Sequence, residues 1–313
     1  MDKEQCRVVF MGTPEFAVES LKAIHEAGYN VVGVITAVDK PAGRGRSIQQ
    51  SAVKKYAVEH ELEVLQPKNL KNKDFIADLS ALEADLFAVV AFRMLPEVVW
   101  SLPPKGTINL HASLLPDYRG AAPINWVLIN GEEESGLTTF FIEKEIDTGK
   151  IILQNKLKIG ENETAGELHD RMKVAGAELL LETVDSIFSG SYTQYDQDPE
   201  KYKNKAPKLF KENCRIDWDK DATTVHNFIR GLSPFPGAWT KLGDKILKIY
   251  RSKVDEETES GIAGEITVTE DSKLNIACGE QWIEVLELQM EGKKRMASSE
   301  FLKGNKVGSV MLS

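Results

Sequence analysis

Asn109-Leu110-His111-Ala112-Ser113-Leu114-Leu115-Pro116-Asp117-Tyr118-Arg119-Gly120-Ala121-Ala122-Pro123 begins as a strand and ends as a loop. Thr107 to His111 alternates as strands do, which puts Asn109 and His111 on the same face of a sheet. Pro116 has no amide hydrogen for a ladder, so the stretch cannot continue as an ordinary central strand. The sheet ends here, and open α/β sheets hold ligands beyond the carboxyl ends of their strands. An amide and an imidazole therefore meet where a ligand is expected.

The chain before this stretch supplies the rest of the sheet. Arg7 to Pro14 reads as a buried strand, Phe16 to Ala27 as a helix with Glu15 at its positive end and Gly28 at its stop, and Val31 to Thr36 as a second strand. A βαβ opening predicts a parallel sheet with right-handed crossovers. The rhythm continues with a helix over Ala52 to Glu61, a strand over Glu63 to Gln66, a helix over Lys73 to Leu82 and an apolar strand over Leu86 to Phe92. The first turn, Gly12-Thr13-Pro14-Glu15-Phe16, is not Gly-x-Gly-x-x-Gly, and no acidic residue closes the second strand. A dinucleotide site is disfavoured on both counts.

Beyond the central stretch, strands are expected over Thr138 to Ile142 and Ile151 to Lys158, with Asp147 on the turn between them. Thr164 to Phe188 reads as one long amphipathic helix stopped at Gly190. Asn109, His111 and Asp147 together are the parts of an acyl-transfer site without a protein nucleophile. An amide can donate to an oxygen that becomes negative, an imidazole can do the same or carry a proton, and a carboxylate can orient that imidazole or stabilise its cation. Each residue alone also has an ordinary reading: a loop cap, a satisfied core histidine, the start of an Asp-Thr-Gly turn.

The wording of the stretch resembles the signature of the 10-formyltetrahydrofolate-dependent formyltransferases. There an Asn-x-His pair leads into Ser-Leu-Leu-Pro-x-Tyr/Trp-Arg-Gly and a catalytic Asp follows. The match runs on through Ala121, Ala122 and Pro123, in the form that looks like the tRNA-acting branch. The resemblance implies a Rossmann-like, mostly parallel catalytic domain over residues 1–188, a linker over 189–208, and an OB-like barrel over 209–313. It implies Asn109, His111 and Asp147 as catalytic residues, with the folate co-substrate lying along Ser113, Leu114, Leu115 and Pro116, whose exposed backbone groups would read its ring. The family usually has a Tyr-Gly or similar pair after the fourth strand. This chain has Phe92-Arg93 there, which alters the expected pterin pocket.

Composition sets further bounds. At 313 residues the chain has room for two domains, and no apolar run approaches a membrane span. The N-terminus enters a strand directly, so a cytoplasmic protein without a membrane partner is expected, acting as a monomer. Cys6, Cys214 and Cys278 lack any Cys-x-x-Cys spacing, which argues against disulfides and a metal site and for reduced core residues. The net charge of −9 works against a nucleic-acid partner, so only local basic clusters could recruit one.

Two such clusters exist. Residues 37–51 leave the βα rhythm with Lys40-Pro41-Ala42-Gly43-Arg44-Gly45-Arg46, and Gly292-Lys293-Lys294-Arg295 lies near the C-terminus. Either could be a solvated face. In the tRNA-acting formyltransferases a similar loop reaches the acceptor end, which implies that role for Arg44 and, beside it, Lys40 and Arg46. From Leu209 onward a helix near Ala222 to Leu232 precedes about five short strands, the number of an OB-type barrel. Its Pro234-Phe235-Pro236-Gly237-Ala238-Trp239 and Gly-Lys-Lys segments look like those of the family's C-terminal domain, implying tRNA contacts at Lys293, Lys294 and Arg295. The expected reaction is formylation of the methionyl amino group on initiator methionyl-tRNA. The alternatives are the same folate chemistry on a small amine or water, and a non-catalytic RNA-binding relative.

Overall fold

The computed structural model describes residues 2–42, 47–255, 261–279, 281–305 and 311–312. In chain order, β1 (Arg7–Gly12), α1 (Phe16–Glu26) and β2 (Asn30–Ile35) form the opening βαβ unit. Five of the six β1 residues are buried, as in a parallel strand covered on both faces. Gly28 ends α1 at φ +84°, a conformation that favours glycine. Then follow β3 (Lys40–Ala42), β4 (Ser47–Gln49), α2 (Ala52–Glu59), β5 (Val64–Leu65), α3 (Lys73–Ala81), β6 (Leu86–Val90), α4 (Glu97–Trp100) and β7 (Thr107–His111). Ser51 caps α2 by accepting from the Lys54 amide, and Asn72 caps α3.

Next come β8 (Arg119–Gly120), α5 (Pro123–Ile129), β9 (Glu134–Phe141), β10 (Ile151–Lys158) and α6 (Ala165–Ser189). A seven-stranded sheet results, in the order β10-β9-β7-β6-β1-β2-β5. The β1–β2, β2–β5, β1–β6 and β6–β7 pairs are parallel, while β7 and β9 run antiparallel. Asn109 pairs with Val89 and Phe140, and His111 with Thr138, so these side chains share a sheet face. On that face Val89, Phe87, Val9 and Met11 pack with Phe75 and Leu79 of α3. Leu110 points the other way, where Gly176 of α6 sits so close that a Cβ would lie 2.9 Å from Leu110 Cδ2.

Two compact units emerge from packing. The first holds residues 1–120, 135–157 and 169–204, and the second 121–134, 158–168 and 205–313. The contiguous division expected from the sequence differs at α5 and the start of α6. In the second unit α5 is bonded to α7 (Ala222–Leu232): Asn125 Nδ2 donates to Gly231 O at 2.7 Å, and Gly231 has no room for a Cβ beside Ile129. Thr164 and Glu167 there form a reciprocal cap, Glu167 N donating to Thr164 Oγ1 and Thr164 N to Glu167 Oε2.

The second unit continues through β11 (Lys205–Ala206) to β12 (Ala238–Leu242), β13 (Lys245–Asp255), β14 (Ile266–Val268), β15 (Leu274–Cys278), β16 (Gln281–Met290), β17 (Met296–Ala297) and α8 (Ser298–Gly304). The antiparallel sheet runs β12-β13-β16-β15-β14, with β17 added on β16. Its core joins Val225, Ile229 and Leu232 of α7 to Leu247, Ile276, Ile283 and Leu288. All three cysteines are buried free thiols, and burial pushes that of Cys278 up to about 12. Among the described residues no helix is long and apolar enough to cross a membrane.

Candidate active site

β7 delivers Asn109 and His111 to its carboxyl end, and the chain then turns through Ser113 to Tyr118. Asn109 is half-buried, and among the described residues its side chain makes no hydrogen bond. His111 is 6% exposed and committed on both sides. Its Nε2 lies 2.9 Å from Tyr118 O, and since a carbonyl only accepts, Nε2 carries the hydrogen. Its Nδ1 lies 3.9 Å from Asp147 Oδ2. That oxygen also accepts from the Gly120 amide at 3.0 Å, so the carboxylate is held in place from a second direction.

The backbone around the pair is unusual in two places. Tyr118 at φ +57° and Asp147 at φ +55° both occupy the left-handed region, which persists in a non-glycine residue only where surrounding structure enforces it. The Tyr118 twist aims its carbonyl at His111. At Gly149 a Cβ would stand 1.7 Å from Phe141 O, so the Asp-Thr-Gly turn closes only with glycine at its end.

Ser113, Leu115 and Pro116 are buried, and the expected exposed backbone groups are internally bonded. Thr138 Oγ1 donates to Ser113 O at 2.7 Å and accepts from Leu115 N at 3.1 Å. Gln154 Nε2 donates to Leu115 O at 2.9 Å, Asp117 N donates to Leu114 O at 3.1 Å, and the Leu114 side chain presses against Gly136. The Leu-Leu-Pro run thus builds the wall from behind, because β9 offers the Thr138 hydroxyl and β10 the Gln154 amide, partners that sequence alone does not place there. Arg93 is likewise turned to structure. Its guanidinium donates to Pro67 O and Lys68 O and lies over the Phe92 ring at 5.6 Å.

Of residues 189–208, expected as a linker, those up to Asn204 belong to the first unit and are bonded there to the segments around Asp117–Tyr118 and Asp147–Ile151. Tyr195 bridges to Ile151, and Asn204 contacts Tyr118 N and the Asp117 carboxylate. Gln197 reaches Asp147 and Gly149. Sequence reasoning missed this set, since a Tyr-, Asp- and Gln-rich stretch without periodicity carries no signal for partners so distant in the chain.

Of the expected tRNA contacts, Arg44 and Arg46 lie outside the described residues. Lys40 is exposed and starts the β3–β4 hairpin, which also shows Ile48 at 72% exposure. The base of that hairpin is pinned. Lys54 Nζ pairs with Asp39 at 2.6 Å, and Gln66 donates to Ala37 O and Asp39. Hydrogen bonds from Lys54 and Gln66 hold the Asp39 carboxyl below the usual carboxylate range. Lys293 and Lys294 are exposed, whereas Arg295 is tied to Glu287 at 2.5 Å and lies 4.4 Å from the Tyr250 ring centre. The second unit also carries a cavity of about 710 Å³ bordered by Phe210, Phe235, Trp239, Lys208 and Lys211, which the sequence did not single out.

Comparison with known proteins bears on the whole chain. Residues 6–184 match the family profile described as formyl transferase, and residues 208–306 match that of the formyl transferase C-terminal domain. A Bacteroides fragilis protein named methionyl-tRNA formyltransferase is 49% identical over 312 residues, covering 97% of this chain and 96% of that protein. One of the same name from Flavobacterium johnsoniae is 51% identical over 305 residues, covering 96% of each. Among solved structures, WlaRD, a sugar 3N-formyl transferase in the presence of dTDP and 5-N-formyl-THF, superposes with a TM-score of 0.65 at 21% identity, over 92% of this chain and 98% of that one.

Proposed function

The chain belongs to the formyl transferase family, and from that premise we propose that it transfers the formyl group of 10-formyltetrahydrofolate to the free amino group of the methionyl moiety of initiator methionyl-tRNA. The product, N-formylmethionyl-tRNA, serves translation initiation, and the enzyme works as a cytoplasmic monomer. The observation that supports the chemistry most is the His111–Asp147 pair at the strand end that also carries Asn109, whose amide has no hydrogen-bond partner among the described residues. Near-full-length identity of about half to proteins named methionyl-tRNA formyltransferase supports the substrate.

The donor set fits a formyl-folate co-substrate, which when bound supplies an activated formyl carbonyl. Asn109, His111 and Asp147 face it, and Ser113 to Pro116 shape the wall behind. An α-amino group titrates near ~7.7 to 8, and lower when its carboxyl is esterified as on tRNA, so neutral amine is plentiful at physiological pH and needs no strong base. Asn109 Nδ2 donates to the oxygen that gains charge, a contribution of roughly 3 to 4 kcal/mol for a well-placed donor. His111 has its Nε2–H on Tyr118 O, so the proton chemistry falls to Nδ1 and the Asp147 carboxylate beside it. Asp147 receives the proton leaving the amine and returns it to the departing nitrogen, and His111 steadies the carboxylate in the form that carries a second hydrogen on Nδ1.

For the tRNA, Arg44, Lys40 and Arg46 grip the acceptor end, with Lys293 and Lys294 as exposed cations on the second unit and Arg295 engaged internally. The groove edged by Phe210, Phe235 and Trp239 with Lys208 and Lys211 offers the ring faces and charge that bind unstacked nucleotides. The test is a substrate panel with the folate donor: methionyl-tRNA, free amines, an amino sugar nucleotide and water. Preference for a small amine or water over charged initiator tRNA would overturn the assignment.

A further inference from the structure

Gln197 is half-buried between exposed neighbours in the stretch that reads as a linker. Its Nε2 donates to two carbonyls of the catalytic turn, Asp147 O at 2.8 Å and Gly149 O at 2.9 Å. Its Oε1 accepts from Arg119, from Nε at 3.1 Å and Nη2 at 2.6 Å. A glutamine amide has two donor hydrogens and two acceptor lone pairs, and all four are used here. Arg119 is ordered in turn, with its guanidinium 4.9 Å from the Tyr202 ring centre.

The residues either side of Arg119 hold the reacting pair. Tyr118 accepts from His111 Nε2, and the Gly120 amide donates to Asp147 Oδ2. Three consecutive residues therefore reach His111, Gln197 and Asp147, and Gln197 closes a ring of bonds around the Asp147 peptide. Asp147 is left-handed, a conformation that costs free energy and needs outside bonds to persist. We propose that Gln197, gripped by Arg119, is a positioning residue for formyl transfer that fixes the Asp147–Gly149 main chain so that the carboxylate stays against His111 Nδ1. The proposal rests on the reading of His111 and Asp147 as the pair that handles the proton.

Glutamate at this position separates positioning from mere space filling. It has nearly the same shape and keeps the Arg119 contact, but a carboxylate has no hydrogens for the two carbonyls and turns acceptors toward them. Displacing a reacting group by about 1 Å costs about 10²-fold in rate. In the full chain, Gln197→Glu is expected to lower the single-turnover rate about 100-fold. KM for methionyl-tRNA and donor stays within about 2-fold, as when an interaction felt only in the transition state is lost. In an Asp147→Ala background the same change is expected to cost nothing further. Amide hydrogen exchange at residues 145–150 is expected to rise at least about 10-fold in Gln197→Glu, with the rest of the chain unchanged.

A wild-type rate for Gln197→Glu, or a full extra loss in the Asp147→Ala background, would overturn the proposal. Failure of the wild-type chain to formylate methionyl-tRNA would instead overturn the function. Exchange then still decides the clamp, because unchanged exchange at 145–150 in Gln197→Glu contradicts it whatever the substrate.

Discussion

In the proposed mechanism Asn109, His111 and Asp147 carry the chemistry, and the contact between His111 and Asp147 makes those two act as a unit. His111→Ala and Asp147→Ala are each expected to lower turnover by roughly two to three orders of magnitude. The double variant is expected to lose little more, which steady-state rates of all three would reveal. A product of the two single losses would mean that His111 and Asp147 work independently. A second residue-scale expectation concerns His226, which is 6% exposed and lies with Nδ1 3.1 Å from Ser252 Oγ. Burial, then the Arg230 charge, holds its pKa below the ordinary value. The unfolded chain takes up this proton near pH ~6.5 while the folded one resists it, so the unfolded state binds more protons below that pH and stability falls with acidification. His226→Gln is expected to flatten the decline of the urea midpoint between about pH 7 and 5. An unchanged slope would assign the acid sensitivity elsewhere.

At the scale of elements, what the sequence made legible follows from how local each signal is. Asn109 and His111 share a face because a strand has period two, and Pro116 ends the strand through its own chemistry. The α7 range was readable from its helical pattern over Ala222 to Leu232, and the Asp221 side chain caps it. Other elements depend on distant partners. α5 follows an Ala-Ala-Pro run that reads as loop, although Pro123 at the first helical turn was a usable signal. β9 starts at Glu134, four residues before the expected Thr138, a start that Glu134 and the strand-disfavouring Gly136 mask in the sequence. Gln197 joins groups 48 to 78 residues away, and no periodicity encodes that. The turn after β9 gives a sharp test: Gly149→Ala puts a methyl 1.7 Å from Phe141 O and is expected to reduce turnover about as much as Asp147→Ala. Normal turnover would mean that the turn can rearrange without loss. Between β3 and β4 in the chain, Arg44→Lys keeps the charge but not the bidentate fork. It is expected to lower both tRNA affinity and turnover while folate titration stays as in wild type.

Across the whole molecule the net charge of −9 opposes a polyanionic substrate, so the proposed tRNA binding relies on local cations such as those at 40–46 and 293–294. Fold class and the two-part organisation were legible because βα rhythm and short antiparallel strands are patterns of whole segments. The assignment of 121–134 and 158–168 to the second unit was not, since it depends on helix packing between residues far apart in sequence. Charge recruitment of this kind is salt-dependent. KM for methionyl-tRNA is expected to climb steeply between about 50 and 200 mM salt while that for the folate donor moves little, and a flat response would exclude electrostatic docking. Formyl transfer itself is tested most directly by rapid quench of donor labelled at the formyl carbon, mixed with saturating methionyl-tRNA and either wild-type protein or Asn109→Ala. Wild-type protein should place the label on the methionyl nitrogen, with Asn109→Ala about 10² to 10³ slower at unchanged binding. Absence of labelled N-formylmethionyl-tRNA, or equal rates for the two proteins, would contradict formyl transfer at this site.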